Sequence, residues 1–220
     1  MGEIYVEKLE IKRKPAKSAG EREIYRTLRT NIELSGEENR VIAITGCTSG
    51  DGKTIVAYNL AVALAESGRR TVLLDADLRN SVLLQRLEVS VQTAGLCQLL
   101  SGGAMVGDVV YITNVQNLYL IPSGMRTENS TELLGNERCR EAISALRNTY
   151  DYIIVDTPPL GNVIDAAVTA KWCDASILVI PSDTLSRTAA CNIVSQLRAA
   201  NSNILGAVLN KGENKSRKRH

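Results

Sequence analysis

The sequence predicts an α/β fold in which a mostly parallel central sheet is flanked by helices on both faces. Short apolar runs alternate along the chain with longer segments of helical pattern. The runs at residues 176–180 and 204–209 show no polar alternation, which is typical of strands covered on both faces. Parallel sheets of this kind form through right-handed crossovers, and they bind ligands at the carboxyl ends of their strands.

Composition and charge favour a globular protein and give no sign of nucleic-acid binding or of a membrane span. The chain has 220 residues, of which 44% are hydrophobic, enough to bury one sizeable core. Its 26 Lys and Arg nearly balance its 24 Asp and Glu, so the overall charge gives no reason to expect nucleic-acid binding. Five scattered cysteines without metal-ligand spacing indicate reduced thiols and a cytoplasmic location. No run approaches the ~18 apolar residues that span a bilayer, so we expect only indirect contact with a membrane.

The chain begins with a charged segment that precedes the main domain. Residues 1–20 alternate in charge and are expected to form a flexible arm. Residues 21–34 place apolar side chains at helical spacing and predict an amphipathic helix. This helix opens a single domain over residues 21–210, and residues 211–220 are predicted to be a solvated basic tail.

A β-branched strand at residues 41–45, a glycine-containing loop and an alanine-rich helix at residues 55–66 follow one another directly. A loop in this position can turn its backbone N–H groups inward around a phosphate chain, and the helix that follows adds its positive end. The predicted phosphate-binding residues are Cys47, Thr48, Ser49, Gly50, Asp51, Gly52, Lys53 and Thr54.

This loop predicts a P-loop NTPase that binds ATP and Mg²⁺. Lys53 is expected to reach the β- and γ-phosphate oxygens, and the Thr54 hydroxyl is expected to ligate the magnesium ion. The strict pattern requires glycine at the first position, where this chain has Cys47, with Gly46 one residue earlier. The alternative is a glycine-rich turn that only joins the strand to the helix.

Two further apolar strands end in carboxylates, Asp75 with Asp77 on one and Asp156 on the other. Side chains two apart on a strand point the same way, so the acids can converge on one site. We expect one to hold the water shell of Mg²⁺, with Thr54, Asp75 and Asp156 as the metal site, while another accepts a proton from an attacking hydroxyl. The alternative for Asp77 is that it caps the following turn.

Three motifs in this order resemble those of the bacterial tyrosine kinases of capsule and exopolysaccharide synthesis. The P-loop corresponds to Walker A, the Asp75-x-Asp77-x-Arg79 pattern to Walker A′, and the strand ending in Asp156, with Thr-Pro-Pro after it, to Walker B. The resemblance covers roughly residues 21–210. It implies an ATP-dependent protein-tyrosine kinase.

The resemblance also implies roles for individual residues. Arg79 is expected to meet phosphate or the tyrosine substrate, and Asn210, which ends the last strand, is expected near the adenine. The implied catalytic and metal constellation is Lys53, Asp75, Asp77 and Asp156, with Thr54 on Mg²⁺.

Glu23, Arg26 and Arg29 are similar to the Glu-x-x-Arg-x-x-Arg helix through which subunits of this family associate into a ring. Residues three apart share one helix face, so an acid and two guanidinium groups can pair across a subunit boundary. The alternative is a solvated charged face. The resemblance further implies a membrane-anchored activator, a polysaccharide co-polymerase protein, that holds the kinase peripherally at the inner face of the membrane.

One feature of the family is absent, because no tyrosine follows Tyr152 and the tail is basic. The family's C-terminal tyrosine cluster is therefore missing, by nature or by truncation. The phosphorylated tyrosine then lies elsewhere, for instance at Tyr5 or Tyr25, or on other proteins, or the chain acts as an ATP-dependent assembly switch. A second alternative is a positioning ATPase of the partition and cell-division type, but Thr48 stands where those proteins have a signature lysine.

Overall fold

The computed structural model describes residues 8–16, 18–91, 93–159, 165–182, 187–199 and 203–210, and these build one sheet with helices on both faces. The sheet has eight strands in the order β1-β4-β5-β3-β6-β2-β7-β8. Only the β4–β5 pair is antiparallel among the strand pairs of this part of the chain. The strands are β1 Lys8–Leu9, β2 Val41–Gly46, β3 Thr71–Asp75, β4 Tyr111–Thr113, β5 Leu118–Ile121, β6 Tyr152–Asp156, β7 Ala175–Pro181 and β8 Asn203–Asn210.

The described helices cover both faces of this sheet, as the sequence predicts. Helices α1 and α2 pack over one face, and α4 and α7 pack over the other. The helices are α1 Ala19–Leu34, α2 Lys53–Glu66, α3 Leu83–Arg86, α4 Leu96–Ser101, α5 Val106–Val109, α6 Ser130–Gly135, α7 Glu137–Arg147, α8 Asp165–Ala170 and α9 Arg187–Ala199.

The central strands β2, β3 and β6 are almost wholly buried, which explains their uninterrupted apolar sequences. Helix α2 is buried on nearly every side, because it lies between the sheet and α1. Apolar side chains around its whole circumference therefore fit their surroundings. These elements hold the predicted P-loop and the two acidic strand ends on a rigid base.

The N-terminal segment differs from the expected flexible arm over its described residues. Leu9 and Ile11 are buried in the core, and the Asn114 side chain bonds both the N–H (2.9 Å) and the carbonyl (3.1 Å) of Ile11. The Tyr58 hydroxyl donates to the Arg13 carbonyl at 3.0 Å. The alternating charges around Leu9 and Ile11 are typical of a solvated segment, but Lys8–Leu9 form strand β1 at the sheet edge and Ile11 packs into the core. Residues 1–7 lie outside the described residues.

Helix α1 begins two residues before its predicted start, because Ser18 and Glu21 form a reciprocal N-terminal cap. Each side chain bonds the other's backbone N–H at 3.1 Å. The predicted basic tail, residues 211–220, lies outside the described residues. Within the described part of the chain, no helix combines the length and apolarity that a membrane crossing requires.

Candidate active site

The loop between β2 and α2 contains two glycines whose backbone conformation favours glycine. Gly50 and Gly52 both adopt positive φ, +87° and +92°, a region that favours glycine. A Cβ atom on Gly52 would lie 2.0 Å from the Asn210 amide nitrogen. That amide donates to the Asp51 carbonyl at 2.7 Å. The end of β8 therefore closes one side of the loop.

Gly46 explains the departure from the strict P-loop pattern. A Cβ at this position would lie 2.9 Å from the Val179 carbonyl oxygen and 3.0 Å from the Asp51 carboxylate. Glycine is needed where the backbone of β7 comes close. Cys47 follows with its side chain buried, and burial raises its pKa to about 11, so it is a packed and unreactive thiol.

Lys53 is a largely buried cation at the start of α2. Its ammonium group donates to the Thr48 carbonyl at 2.9 Å, and the Asp51 carboxylate accepts from the N–H of Thr48 at 2.7 Å and from its hydroxyl. Burial lowers the Lys53 pKa, and the carboxylates of Asp156, Asp51 and Asp77 oppose that shift. A desolvated cation at the start of a helix that follows a glycine-containing loop is suited to an anionic ligand.

Asp75 and Asp156 occupy register positions opposite each other at the ends of β3 and β6. Both carboxyl groups are buried, and burial raises both pKa values, that of Asp156 to about 7. The charge of Asp156 further raises the pKa of Asp75. Asp75 accepts hydrogen bonds from the Ser81 hydroxyl and from the Asp77 N–H at 3.1 Å.

Asp156 offers an oxygen suited to a metal ion or its water. One of its carboxylate oxygens is buried and has no hydrogen-bond partner among the described residues, while the Thr54 hydroxyl bonds the carboxyl group. A buried unpaired oxygen is costly, and Mg²⁺ prefers oxygen ligands while keeping several waters. Thr54 and Asp156 therefore fit a magnesium site.

Asp77 is partly exposed and lines the same cleft. Its carboxylate also accepts from the Asn80 N–H at 2.9 Å, so it caps the following turn, as the alternative proposes. The two roles are compatible, because one oxygen in the turn leaves the other directed elsewhere.

Arg79 lines the cleft but its guanidinium group is already bonded. Nε donates to Asp165 at 2.9 Å, one Nη lies 3.5 Å from Glu128, and the other donates to Thr131 at 3.2 Å. Asp165 is buried and also accepts from the hydroxyls of Ser130 and Thr131. Sequence reasoning missed Asp165, since it lies 86 positions from Arg79 in no recognisable motif.

Lys53, Thr54, Asp77, Arg79 and Asp156 line one cleft with an empty volume of about 1380 Å³, part of it open to solvent. The buried carboxyl group of Asp75 is not part of its lining. The cleft combines the P-loop, the acidic strand ends and a wall formed after β3. Its lining residues are Ser49, Gly50, Gly52, Lys53, Thr54, Ile55, Asp77, Arg79, Asn80, Val82, Arg86, Asp156, Thr157, Pro158, Pro159 and Asn210.

The predicted oligomerisation residues lie on α1, away from this cleft. Arg26 is exposed and lies 3.8 Å from Glu23. Arg29 is different, because it turns inward, donates to the Ala63 carbonyl at 3.2 Å and lies 3.8 Å from Glu33. Glu23 and Arg26 are accessible to another molecule, whereas Arg29 is partly committed to the fold of its own chain.

Comparison with known proteins places this chain in a family. A family model described as an AAA domain matches residues 39–209. The tyrosine-protein kinase CpsD of Streptococcus agalactiae is 42% identical over 189 residues, covering 86% of this chain and 82% of the relative. The tyrosine-protein kinase YwqD of Bacillus subtilis is 34% identical over 190 residues, covering 86% and 80%.

Solved structures agree with these relatives. The kinase domain of the Escherichia coli tyrosine kinase ETK superposes with a TM-score of 0.84 at 31% identity, covering 90% of this chain and 78% of that one. The septum site-determining protein MinD of Pyrococcus horikoshii, solved with Mg-ADP, gives 0.68 at 30% identity, covering 79% and 72%. The fold and the nucleotide site are thus those of a P-loop NTPase. The chain belongs to the bacterial tyrosine-kinase family of capsule and exopolysaccharide synthesis, and it is a protein-tyrosine kinase.

Proposed function

We propose that the chain transfers the γ-phosphoryl group of ATP, bound with Mg²⁺, to a protein tyrosine, and that Lys53, Thr54, Asp75, Asp77 and Asp156 carry the reaction. The observation that supports this assignment is the convergence of a desolvated lysine and an unpaired buried Asp156 oxygen on one P-loop cleft. Lys53 leaves the Thr48 carbonyl and neutralises charge on the transferred group.

Mg²⁺, when bound, neutralises charge between the β- and γ-phosphates. Thr54 and Asp156 are the residues that would hold it, and Asp75 is the register partner of Asp156 on the neighbouring strand. Asp77 is the accessible carboxylate of the cleft, so it accepts the proton of the tyrosine hydroxyl. Because the Asn210 amide is bonded to the loop at Asp51, its contribution to adenine binding is to fix the cleft wall.

The finer biology is proposed from the family. A membrane-anchored activator recruits the chain to the inner face of the cell membrane, and tyrosine phosphorylation there regulates polysaccharide synthesis. Exposed Glu23 and Arg26 pair with a neighbouring subunit in a ring. The acceptors are tyrosines of protein, and no role for nucleic acid is proposed.

The test replaces Lys53 by methionine, which keeps the bulk of the side chain and removes its charge. Phosphoryl transfer from Mg²⁺-ATP to a glutamate–tyrosine copolymer should fall roughly 100-fold or more. The control is Lys12→Met, the same substitution at an exposed lysine outside the cleft. Equal activity of the two variants would contradict the assignment. ATP hydrolysis without phosphotyrosine in the unaltered chain would favour the assembly switch.

A further inference from the structure

The short helix α3, which follows the Asp75–Arg79 loop, contributes to one wall of the cleft. In α3, the N–H of Arg86 donates to the carbonyl of Val82 at 2.8 Å, which closes the turn. Leu83 and Leu87 are fully buried and anchor it to the core. Val82, 40% exposed, and Arg86, also exposed, both line the cleft. Residues four apart share one face of a helix, so this turn presents an apolar patch beside a positive charge.

The charge of Arg86 is available to a ligand. Arg79, the other arginine of this cleft wall, is bonded to Asp165, Thr131 and Glu128. Across the residues described by the structure, no ion pair or side-chain hydrogen bond engages Arg86. A guanidinium group beside an apolar contact favours an acidic segment that also carries an aromatic or aliphatic side chain.

We propose that Val82 and Arg86 form the acceptor subsite and that its occupant is residues 3–7 of a second copy of the chain, with Tyr5 as the phosphorylated residue. This inference rests on the proposed kinase function. The segment reads Glu-Ile-Tyr-Val-Glu, so glutamates flank the tyrosine at two residues on either side and apolar residues adjoin it. Its negative charge and apolar neighbours complement Arg86 and Val82.

The strand pairings fix the edge of the sheet at which strand β1 begins. Strand β1 is parallel to β4, β4 is antiparallel to β5, and β5 is parallel to β3. The chain before Lys8 therefore starts from the edge where β3 and β6 end and where the cleft opens.

Distance favours transfer between two copies over transfer within one. Lys8 is level with Val72 through the register of the intervening strands, three residues short of Asp75. Four strand spacings separate β1 from β6, about 19 Å in all. Tyr5 is three residues before Lys8, and three extended residues span at most about 11 Å. Three extended residues are therefore too few to cover the separation between β1 and β6.

The phosphoryl transfer to Tyr5 needs only ATP and the carboxylate of Asp77. The Tyr5 phenol oxygen forms a bond to the γ-phosphorus of ATP, and the bond from that phosphorus to the bridging oxygen breaks. ADP leaves with the electron pair, and the phenol proton passes to the Asp77 carboxylate of the copy that holds ATP.

The experiment mixes two full-length variants so that donor and acceptor are distinct. The donor is Tyr5→Phe, which retains the cleft, and the acceptor is Lys53→Met, which retains Tyr5 but lacks the phosphate-binding charge. After incubation with Mg²⁺-ATP, phosphate is located by mass spectrometry, and a glutamate–tyrosine copolymer in a parallel reaction reports kinase activity of the donor. Phosphate on Tyr5 of the Lys53→Met copy is the expected result.

The outcomes separate this inference from the kinase assignment. Phosphorylation of the copolymer with no phosphate on Tyr5 of the acceptor overturns the inference and leaves the kinase in place. Phosphorylation of neither overturns both. Phosphate on Tyr5 of a dilute wild-type chain at a rate independent of protein concentration overturns transfer between copies.

A second measurement tests the subsite itself. Wild-type kcat/KM should favour a peptide with the sequence of residues 3–7 over the same peptide with both glutamates replaced by glutamine, roughly 3- to 10-fold. Arg86→Glu should invert the preference toward a lysine-flanked peptide, whereas Arg86→Lys should retain it. An unchanged ratio in Arg86→Glu overturns the role of Arg86.

Discussion

Asp75 and Asp156 are register partners on adjacent strands, so two buried carboxyl groups stand side by side at the carboxyl edge of the sheet. Neither has a guanidinium partner among the contacts of the described residues; Asp156 has Lys53 nearby, and Asp75 has the Ser81 hydroxyl. Their proximity costs folding free energy in the nucleotide-free protein and provides negative charge for a metal nucleotide.

The first prediction is that Asp156→Asn stabilises the nucleotide-free chain and inactivates it. At pH 8 the buried Asp156 carboxyl group is ionised against the desolvation that raises its pKa to about 7, and asparagine removes that cost, so the free energy of unfolding at this pH should rise by roughly 1 kcal/mol. Turnover should fall at least about 100-fold. Urea unfolding and a phosphotransfer assay check the two effects. Glu37→Gln, at an exposed acid, is the control, and a less stable but fully active Asp156→Asn would contradict the assignment.

The second prediction contrasts two glycines of the P-loop. The Cβ atom of alanine at Gly50 would meet no atom within 4 Å. The substitution should therefore lower the free energy of unfolding only through the strain of a positive φ, by about 1–2 kcal/mol. Alanine at Gly52 also displaces the Asn210 amide and breaks its bond to Asp51, so nucleotide affinity should fall further. Titration with a fluorescent ADP analogue measures both variants.

A double substitution isolates the contact between Gly52 and Asn210. In an Asn210→Ala background the clash is gone, and Gly52→Ala should then resemble Gly50→Ala. If Gly52→Ala is equally severe with and without the Asn210 side chain, the loop does not depend on the end of β8.

The third prediction concerns acid stability through Asp165. Burial alone would raise its pKa, but hydrogen bonds from Ser130, Thr131 and Arg79 outweigh burial and lower it. A carboxyl group with a lowered folded-state pKa stabilises the fold above its ordinary pKa, near 4, and this contribution is lost as pH falls through the folded value. Asp165→Asn should therefore reduce stability at pH 7 and flatten the loss of stability below pH ~4.

The measurement for Asp165 is urea unfolding at a series of pH values. The matched control is Asp108→Asn, at an exposed acid that caps α5. If the stability of wild type and Asp165→Asn changed with pH in parallel, the ionised carboxylate of Asp165 would not contribute to the stability of the fold.

The fourth prediction separates the two arginines of α1. Arg26→Ala should weaken self-association with little change in the thermal midpoint, because the side chain is exposed. Arg29→Ala should lower the midpoint of the isolated subunit, because it removes a donor from the Ala63 carbonyl. Sedimentation velocity and thermal unfolding distinguish the effects. An unchanged oligomer in Arg26→Ala would remove this residue from the interface.

Much of the fold is predictable because its central strands are apolar without interruption. Strands β2, β3, β6 and β7 appear in the sequence as continuous runs and are buried, and the topology rule then brings Asp75 and Asp156 to one edge. Strand β8 is a continuous apolar run as well, but it is the last strand of the sheet and its residues are exposed or half-buried, so the expectation that residues 204–209 are covered on both faces was wrong. Lys53 and Thr54 are predicted from local spacing alone, because the Gly-Lys-Thr run directly follows a strand and loop and begins a helix.

The region between β3 and β6 could not be derived in the same way. Strands β4 and β5 are short, and helices α3 to α6 are a few residues each, too short for a period to emerge. Contacts such as Arg79 with Asp165 depend on which segments fold together, and no spacing rule encodes them. The burial of Leu9 and Ile11 could not be predicted, because the charged residues around them are typical of a solvated segment.

The buried segment that contains Leu9 and Ile11 also supports the cleft wall formed by α3. The Arg13 N–H donates to the Leu87 carbonyl at 3.2 Å, directly after the turn that carries Arg86. Proteolytic removal of the residues before α1 would therefore expose apolar side chains at one edge of the sheet and break the hydrogen bond to the residue after α3. Cleavage at a position distant in sequence from the P-loop would then reduce the order of the cleft wall that carries Arg86.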